Sequence, residues 1–323
     1  MVRVAISIGD INGIGPEIAL RAHDFITNIC EPIYFAHHEI LLNAADMLKI
    51  NMPKNMICSR SDPNSKITLI SPGEISKDSG LYSFNSFKVA CQSVLGGECD
   101  FVATLPIHKL AWAKAGINYV GHTEALNSMF NTKSIMLLGA PNDIIGEGEN
   151  ALFVALFTHH IALKDVSKHI IYEDFLEFLL TLWNNTNQFN FGEIAVLGLN
   201  PHAGDGGLLG NEEQVIKEAI ERANDTLKGS IFKGPFPPDT AFSPHMRKKY
   251  KLFVAPYHDL GLAPLKALYF YDAINVTLNI PIIRTSVDHG VGFDIAYQNK
   301  ANLLSYKNAI SFGLKWLQMR NQN

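Results

Sequence analysis

Short apolar runs alternate with amphipathic stretches from one end of this chain to the other, and that alternation limits the fold more than any other feature. Runs such as RVAISI (residues 3–8), FVATL (101–105), ALFVALF (151–157), EIAVLGL (193–199) and LFVA (252–255) read as buried strands. Further strands are expected at 33–36, 67–70, 134–138 and 274–278, with helices at 39–48, 83–94, 170–183, 212–224 and 303–319. Strands separated by helices predict an α/β protein with a mainly parallel sheet. The 323 residues are enough for a large core and for two lobes. The polar stretch 51–66 reads as a surface excursion. The proline- and glycine-rich stretch 234–244 is too long for a tight turn and reads as a functional loop or a crossing between lobes.

Composition narrows the partners. A hydrophobic fraction of 47% with 18% charged residues is that of a soluble globular enzyme. A net charge of −4 without a basic cluster argues against nucleic acid. The apolar runs are broken well short of the ~18 residues of a membrane helix. Four cysteines without metal-ligand spacing, and a start that enters a strand directly, lead us to expect a cytoplasmic protein.

Three histidines follow strand-like runs: His160 in FTHHIALKD, His202 in LNPHAGDGG and His258 in YHDLGL. Imidazoles delivered by three strand ends can hold a catalytic divalent metal and leave a coordination position open. His159 competes with His160, because successive residues of an extended chain face opposite ways. Asp259, beside His258, can orient that imidazole, contact the metal's water or take a proton. The single-residue alternative is a packed or surface histidine.

Other stretches suit anions. GDINGIGPE (9–17) is a strand–glycine loop–helix junction of the kind that offers amides to an anion, although it lacks the third glycine of a dinucleotide fingerprint. TLPIHKL places His108 and Lys109 after a strand. In GHTEALN, Thr123 is expected to cap a helix with His122 beside its free amides. Lys266 and Arg284 are cations near the strand that Asn275 opens, a pair suited to a phosphate monoester. Asp294, after the glycine-bearing turn at 288–292, is placed to accept ribose hydroxyls and so favour NAD.

In this order GxxxGIGPE, PxHK, GHTE, LNPHAGDGG, YHDxGL, NVTL and IRTSVDHG resemble the PdxA family of 4-hydroxythreonine-4-phosphate dehydrogenases, from Ile6 to about Asn302. The resemblance implies a two-lobed fold like that of isocitrate and isopropylmalate dehydrogenases, with a cleft between the lobes. The expected lobes are 1–105 plus 262–323 for nucleotide and 106–261 for metal and dimerisation. It implies a homodimer whose active site is shared, with one divalent metal (zinc, magnesium or cobalt) on His160, His202 and the partner's His258. His122, Thr123, Lys266, Asn275 and Arg284 would contact substrate; Asp259 and Lys109 are the expected bases. Gly290, Asp294 and Asn302 would contact NAD. The implied reaction is oxidation of 4-phosphooxy-L-threonine followed by decarboxylation, in vitamin B6 biosynthesis. The sequence departs from the family pattern at Leu260, at Val291-Gly292 and in LLG after HAGDGG. A sister dehydrogenase for another phosphorylated hydroxy acid such as a threonate phosphate fits the same motifs. A phosphate acyltransferase would not need three histidines, and a binding protein without activity would keep only the anion site.

Overall fold

In the computed structural model, which describes residues 1–59, 69–141 and 151–322, the chain crosses from one unit to a second and then returns. The first segment contains β1 (Arg3–Ser7), α1 (Gly15–Thr27), β2 (Glu31–Phe35), α2 (His38–Leu48) and β3 (Ile57–Ser59). It continues with α3 (Lys77–Leu95), β4 (Phe101–Thr104), α4 (Lys109–Lys114) and α5 (His122–Phe130). The second unit contains β5 (Ile135–Ala140), β6 (Leu152–Leu156), α6 (Tyr172–Thr186), β7 (Ile194–Leu197) and α7 (Glu212–Leu227). It closes with β8 (Phe232–Phe236), α8 (Pro238–Ala241), α9 (Pro244–Lys249), β9 (Leu252–Ala255) and α10 (His258–Tyr269). The returning segment adds β10 (Ile274–Leu278), β11 (Arg284–Val287) and α11 (Leu304–Arg320).

In the first unit the strands run β3-β2-β1-β4-β11-β10, parallel except that β10 is antiparallel to β11. Helices cover such a sheet on both faces, so its strands read as continuous apolar runs rather than alternating ones. Val4, Ala5 and Ile6, successive in β1, are all fully buried. In the second unit the order is β5-β6-β9-β7-β8, parallel except for β5 against β6. Among the described residues no helix is long and apolar enough to cross a membrane.

The units are residues 1–134 with 274–323, and 135–273. The first thus extends beyond residue 105, because Trp112, Ala125 and Leu126 of α4 and α5 pack with Phe87 and Val102 of that unit's core. Residues 262–273 stay with the second unit, because Leu262, Leu265 and Ala273 join Val154, Leu197 and Phe253 in its core. Stretch 234–244 is not a long loop between lobes; it ends β8, forms α8 and begins α9, all in the second unit. Of the strand expected at 67–70, residues 67 and 68 lie outside the described residues, and 69 and 70 are not strand. Of the excursion at 51–66, residues 60–66 lie outside them and 57–59 form β3. The short β3, β8 and β11 were not expected from the apolar pattern.

Candidate functional site

Strand register assembles a polar face in the first unit. Arg284 pairs with Thr277 of β10 and Val102 of β4, while Ser286 pairs with Asn275 and Thr104. Paired residues, and residues two apart on one strand, share a face. Arg284, Ser286, Asn275, Thr277 and Thr104 therefore stand together. Arg284 is 1% exposed. It donates from Nη1 to Thr277 Oγ1 at 2.9 Å, and from Nη2 to Thr104 Oγ1 at 2.7 Å and His122 Nδ1 at 3.2 Å. No carboxylate pairs with it among the described residues. Its Nε is buried with no acceptor. Burial pulls the guanidinium pKa down to about 10. A cation so placed costs several kcal/mol to desolvate unless an anion meets it.

His122 completes the cluster at the first position of α5, with its ring 4.7 Å from that of Phe87 and edge-on to Trp112. Burial, and secondly the charge of Arg284, hold its pKa well below the ordinary histidine value. A neutral ring whose Nδ1 accepts from Arg284 carries its proton on Nε2. That Nε2 is buried and without a partner, as is Asn275 Oδ1. Arg284 Nε and His122 Nε2 are donors with no protein acceptor, the chemistry of an anion site. The cap of α5 is Gly121 rather than Thr123, which sits one residue inside the helix and is buried. Lys109 opens α4, and its Cε would lie 3.8 Å from a Cβ built on Gly121. Lys266 belongs to the second unit, on α10, with Nζ 5.9 Å from the Phe270 ring centre.

Four amides of the glycine loop after β1 are taken up inside the protein. Asp10 N donates to Pro106 O, Gly13 N to Asp10 O and Ile14 N to Val291 O, while Asn12 N donates to Asp10 Oδ1. These bonds make the loop a structural junction, and its buried Asp10 has a pKa raised chiefly by burial. A Cβ on Gly13 would fall 2.5 Å from Val291 O, so the loop packs directly on segment 288–297. Tyr297 fastens that segment by donating to Ile11 O at 2.6 Å, and Phe293 stacks on His108 with ring centres 4.9 Å apart. Gly290 is exposed with open space where a Cβ would stand, and Asp294 is exposed on a short 3₁₀ turn. Asn302 Oδ1 takes the Leu304 amide at the start of α11.

In the second unit the three expected metal ligands leave the carboxyl ends of adjacent parallel strands. β9 lies between β6 and β7, and His258, His160 and His202 follow these three strands in turn. Bonds from Phe157 N to Ala255 O and Thr158 N to Pro256 O continue the β6–β9 register past the strands. They bring the His160 and His258 rings to 5.9 Å between centres within one chain. His160 has φ +55°, so the alternation of an extended chain no longer decides between it and half-buried His159, whose ring is edge-on at 5.1 Å.

His258 Nδ1 is 2.7 Å from Asp259 Oδ1, which leaves Nε2 for another partner. His202 is exposed at the head of a left-handed turn in which residues 202–206 all have positive φ. Each non-glycine residue there costs roughly 1–2 kcal/mol, so His202, Ala203 and Asp205 need about 3 kcal/mol or more from their surroundings. Strain of this kind collects at sites where it is over-determined by neighbouring structure. Three imidazoles from adjacent strand ends are a donor set that suits a divalent transition metal, although their ring nitrogens do not all lie within 4.8 Å of one another in this structure.

Sequence reasoning missed Thr104 and Thr277, which hold the Arg284 fork, and Glu213, whose carboxylate accepts the Leu199 and Asn200 amides. Both threonines fall inside quoted motifs, but a strand threonine looks the same whether or not it faces an arginine.

A buried, unpaired guanidinium at a strand face and histidines at parallel strand ends are the features of an α/β enzyme of small anionic metabolites. The family model described as pyridoxal phosphate biosynthetic protein PdxA matches residues 28–313. The 4-hydroxythreonine-4-phosphate dehydrogenase of Sulfurimonas denitrificans is 48% identical over 309 residues, covering 96% of each chain. That of Campylobacter fetus subsp. fetus is 47% identical over 314 residues, 97% of each chain. The solved 4-hydroxythreonine-4-phosphate dehydrogenase from Klebsiella pneumoniae is 29% identical with a TM-score of 0.78 over 98% of each chain. The chain belongs to the PdxA family. It is an oxidoreductase of pyridoxal phosphate biosynthesis.

Proposed function

We propose that the chain oxidises the secondary alcohol of 4-phosphooxy-L-threonine with NAD. The 2-amino-3-oxo-4-phosphooxybutanoate so formed loses carbon dioxide to give 3-amino-2-oxopropyl phosphate. The observation that carries this reading is Arg284: sealed, without a carboxylate, and flanked by the bare His122 Nε2. A phosphate supplies the acceptors that these donors lack. Asn275 and Thr123 would complete the substrate contacts, and Lys266 would add the second cation. Anchoring the phosphate fixes the remote end of the substrate, so that the carbinol is presented in one orientation.

His160, His202 and His258 would hold one divalent cation, zinc, magnesium or cobalt. Such an ion, when bound, polarises the alcohol and the later carbonyl. Asp259, whose Oδ1 is 2.7 Å from His258 Nδ1, would orient that imidazole, and Asp259 and Lys109 are the two candidate bases for the alcohol proton. Asp294 would accept the ribose hydroxyls of NAD, with Gly290 and Asn302 beside the cofactor. A homodimer that shares its active site belongs to the same reading. Four unpaired thiols suit a cytoplasmic location.

The test is NADH formation from 4-phosphooxy-L-threonine with and without a chelator, beside the His202→Ala variant. Metal-dependent reduction that this variant loses is the expected result; a rate untouched by thorough chelation would remove the metal from the reading. A second reading rests on the same cluster: Arg284 and His122 recognise phosphate and nothing in them reads an amino group. Faster turnover of a threonate phosphate would identify the chain as the sister dehydrogenase.

A further inference from the structure

The left-handed turn that begins at His202 is held from below by one buried carboxylate. Glu213, 7% exposed in the first turn of α7, accepts the amide of Leu199 at 2.9 Å and that of Asn200 at 2.6 Å on Oε1. Its Oε2 accepts Asn200 Nδ2 at 3.0 Å, and the neighbouring Glu212 accepts the same nitrogen at 2.9 Å. The two residues before Pro201-His202 are thus tied to the carboxylate by three hydrogen bonds. The glycines around it are there for room. A Cβ on Gly204 would stand 2.6 Å from Glu213 Oε2, and one on Gly198 3.2 Å from Oε1. A Cβ on Gly210 would meet Asn200 Nδ2 at 2.3 Å.

An acid in the first turn of a helix is ordinarily explained by the helix dipole alone. That explanation needs neither burial nor bonds to a loop thirteen and fourteen residues away. We infer that Glu213 is a positioning residue, which fixes the strained turn so that His202 is delivered in the one orientation that serves the metal. The inference rests on the metal reading above. It also gives a use to Gly204 and to the glycine after LL, Gly210, which metal ligation alone leaves without one.

The test titrates metal-free protein with Co²⁺ and follows both affinity and the visible absorption of the bound ion. Glu213→Ala is expected to weaken Co²⁺ binding by roughly 10–100-fold, the usual cost of losing a group that orients a ligand, and to alter the absorption envelope. Its thermal unfolding without metal must still show a folded protein at the temperature of the titration. Co²⁺ affinity within twofold of the wild type and an unchanged spectrum would overturn the assignment. Should Glu213→Ala fail to fold, Asn200→Ala, which removes one of the three bonds, is expected to weaken binding several-fold, and wild-type affinity there would overturn it equally. His202→Ala separates the two readings. If that variant binds Co²⁺ as tightly as the wild type, the metal reading fails; if it loses the ion while Glu213→Ala does not, only the positioning role fails.

Discussion

Arg284 shows how much a single side chain can define. Its Nη atoms are satisfied by two threonine hydroxyls and a histidine, none of them charged, so among the described residues no carboxylate balances its positive charge. Hydrogen bonds to a charged group contribute about 1.5–3 kcal/mol each. Arg284→Ala is therefore expected to raise the KM for the phosphorylated substrate by about 10–100-fold with a smaller change in kcat. Steady-state kinetics check this, and an unchanged KM would take Arg284 out of phosphate binding. The arginine and Asn275 were legible in the sequence, because a cation close to a buried strand and an amide at that strand's start stand out. Their hydroxyl partners were not, since only the β10–β11–β4 register puts Thr277 and Thr104 on the same face.

Among elements, α3 and α4 meet closely enough to exclude a side chain. A Cβ on Gly80 would fall 2.1 Å from Ala111 O, against rigid helix backbone. Gly80→Ala should improve helix propensity by up to ~1 kcal/mol, yet the overlap is expected to dominate and destabilise the protein by about 1–3 kcal/mol. A denaturant midpoint shifted upward would show that the helices can separate without loss. The same glycine explains why the sequence pattern places this helix only from residue 83, although Ser76 Oγ caps it by accepting the Ser79 amide. Local propensity gives way to a contact that only the packed pair reveals. The glycine loop at 9–15 shows a different gap. Its pattern suited an anion, and nothing local showed that four of its amides would be taken by Pro106, Val291 and Asp10.

For the whole molecule, acid stability follows from His122. Its pKa in the folded state lies well below the ordinary value, so below pH ~6.5 the unfolded chain takes up a proton that the folded chain refuses. Stability from this residue is thus complete above that pH and is lost as pH falls below it. Denaturant unfolding between pH 7.5 and 5.5, values spanning roughly one unit either side of ~6.5, is expected to show a steeper acid loss for the wild type than for His122→Asn. Equal slopes would mean that His122 takes up its proton in the folded protein.

The sequence by itself determined the α/β class, most strands, the three strand-end histidines and the strand that Asn275 opens, because burial periodicity and rare polar residues after apolar runs are local signals. Tertiary structure decided which unit holds residues 106–134 and 262–273, since core packing, not pattern, assigns a helix to a sheet. It decided that β9 lies between β6 and β7, so that histidines about forty to a hundred residues apart leave one sheet edge. It also decided that Glu213 fastens the turn before His202 and that His122 is neutral. Hydrogen-bond partners and desolvation depend on what surrounds a group in space, and no window of sequence contains that.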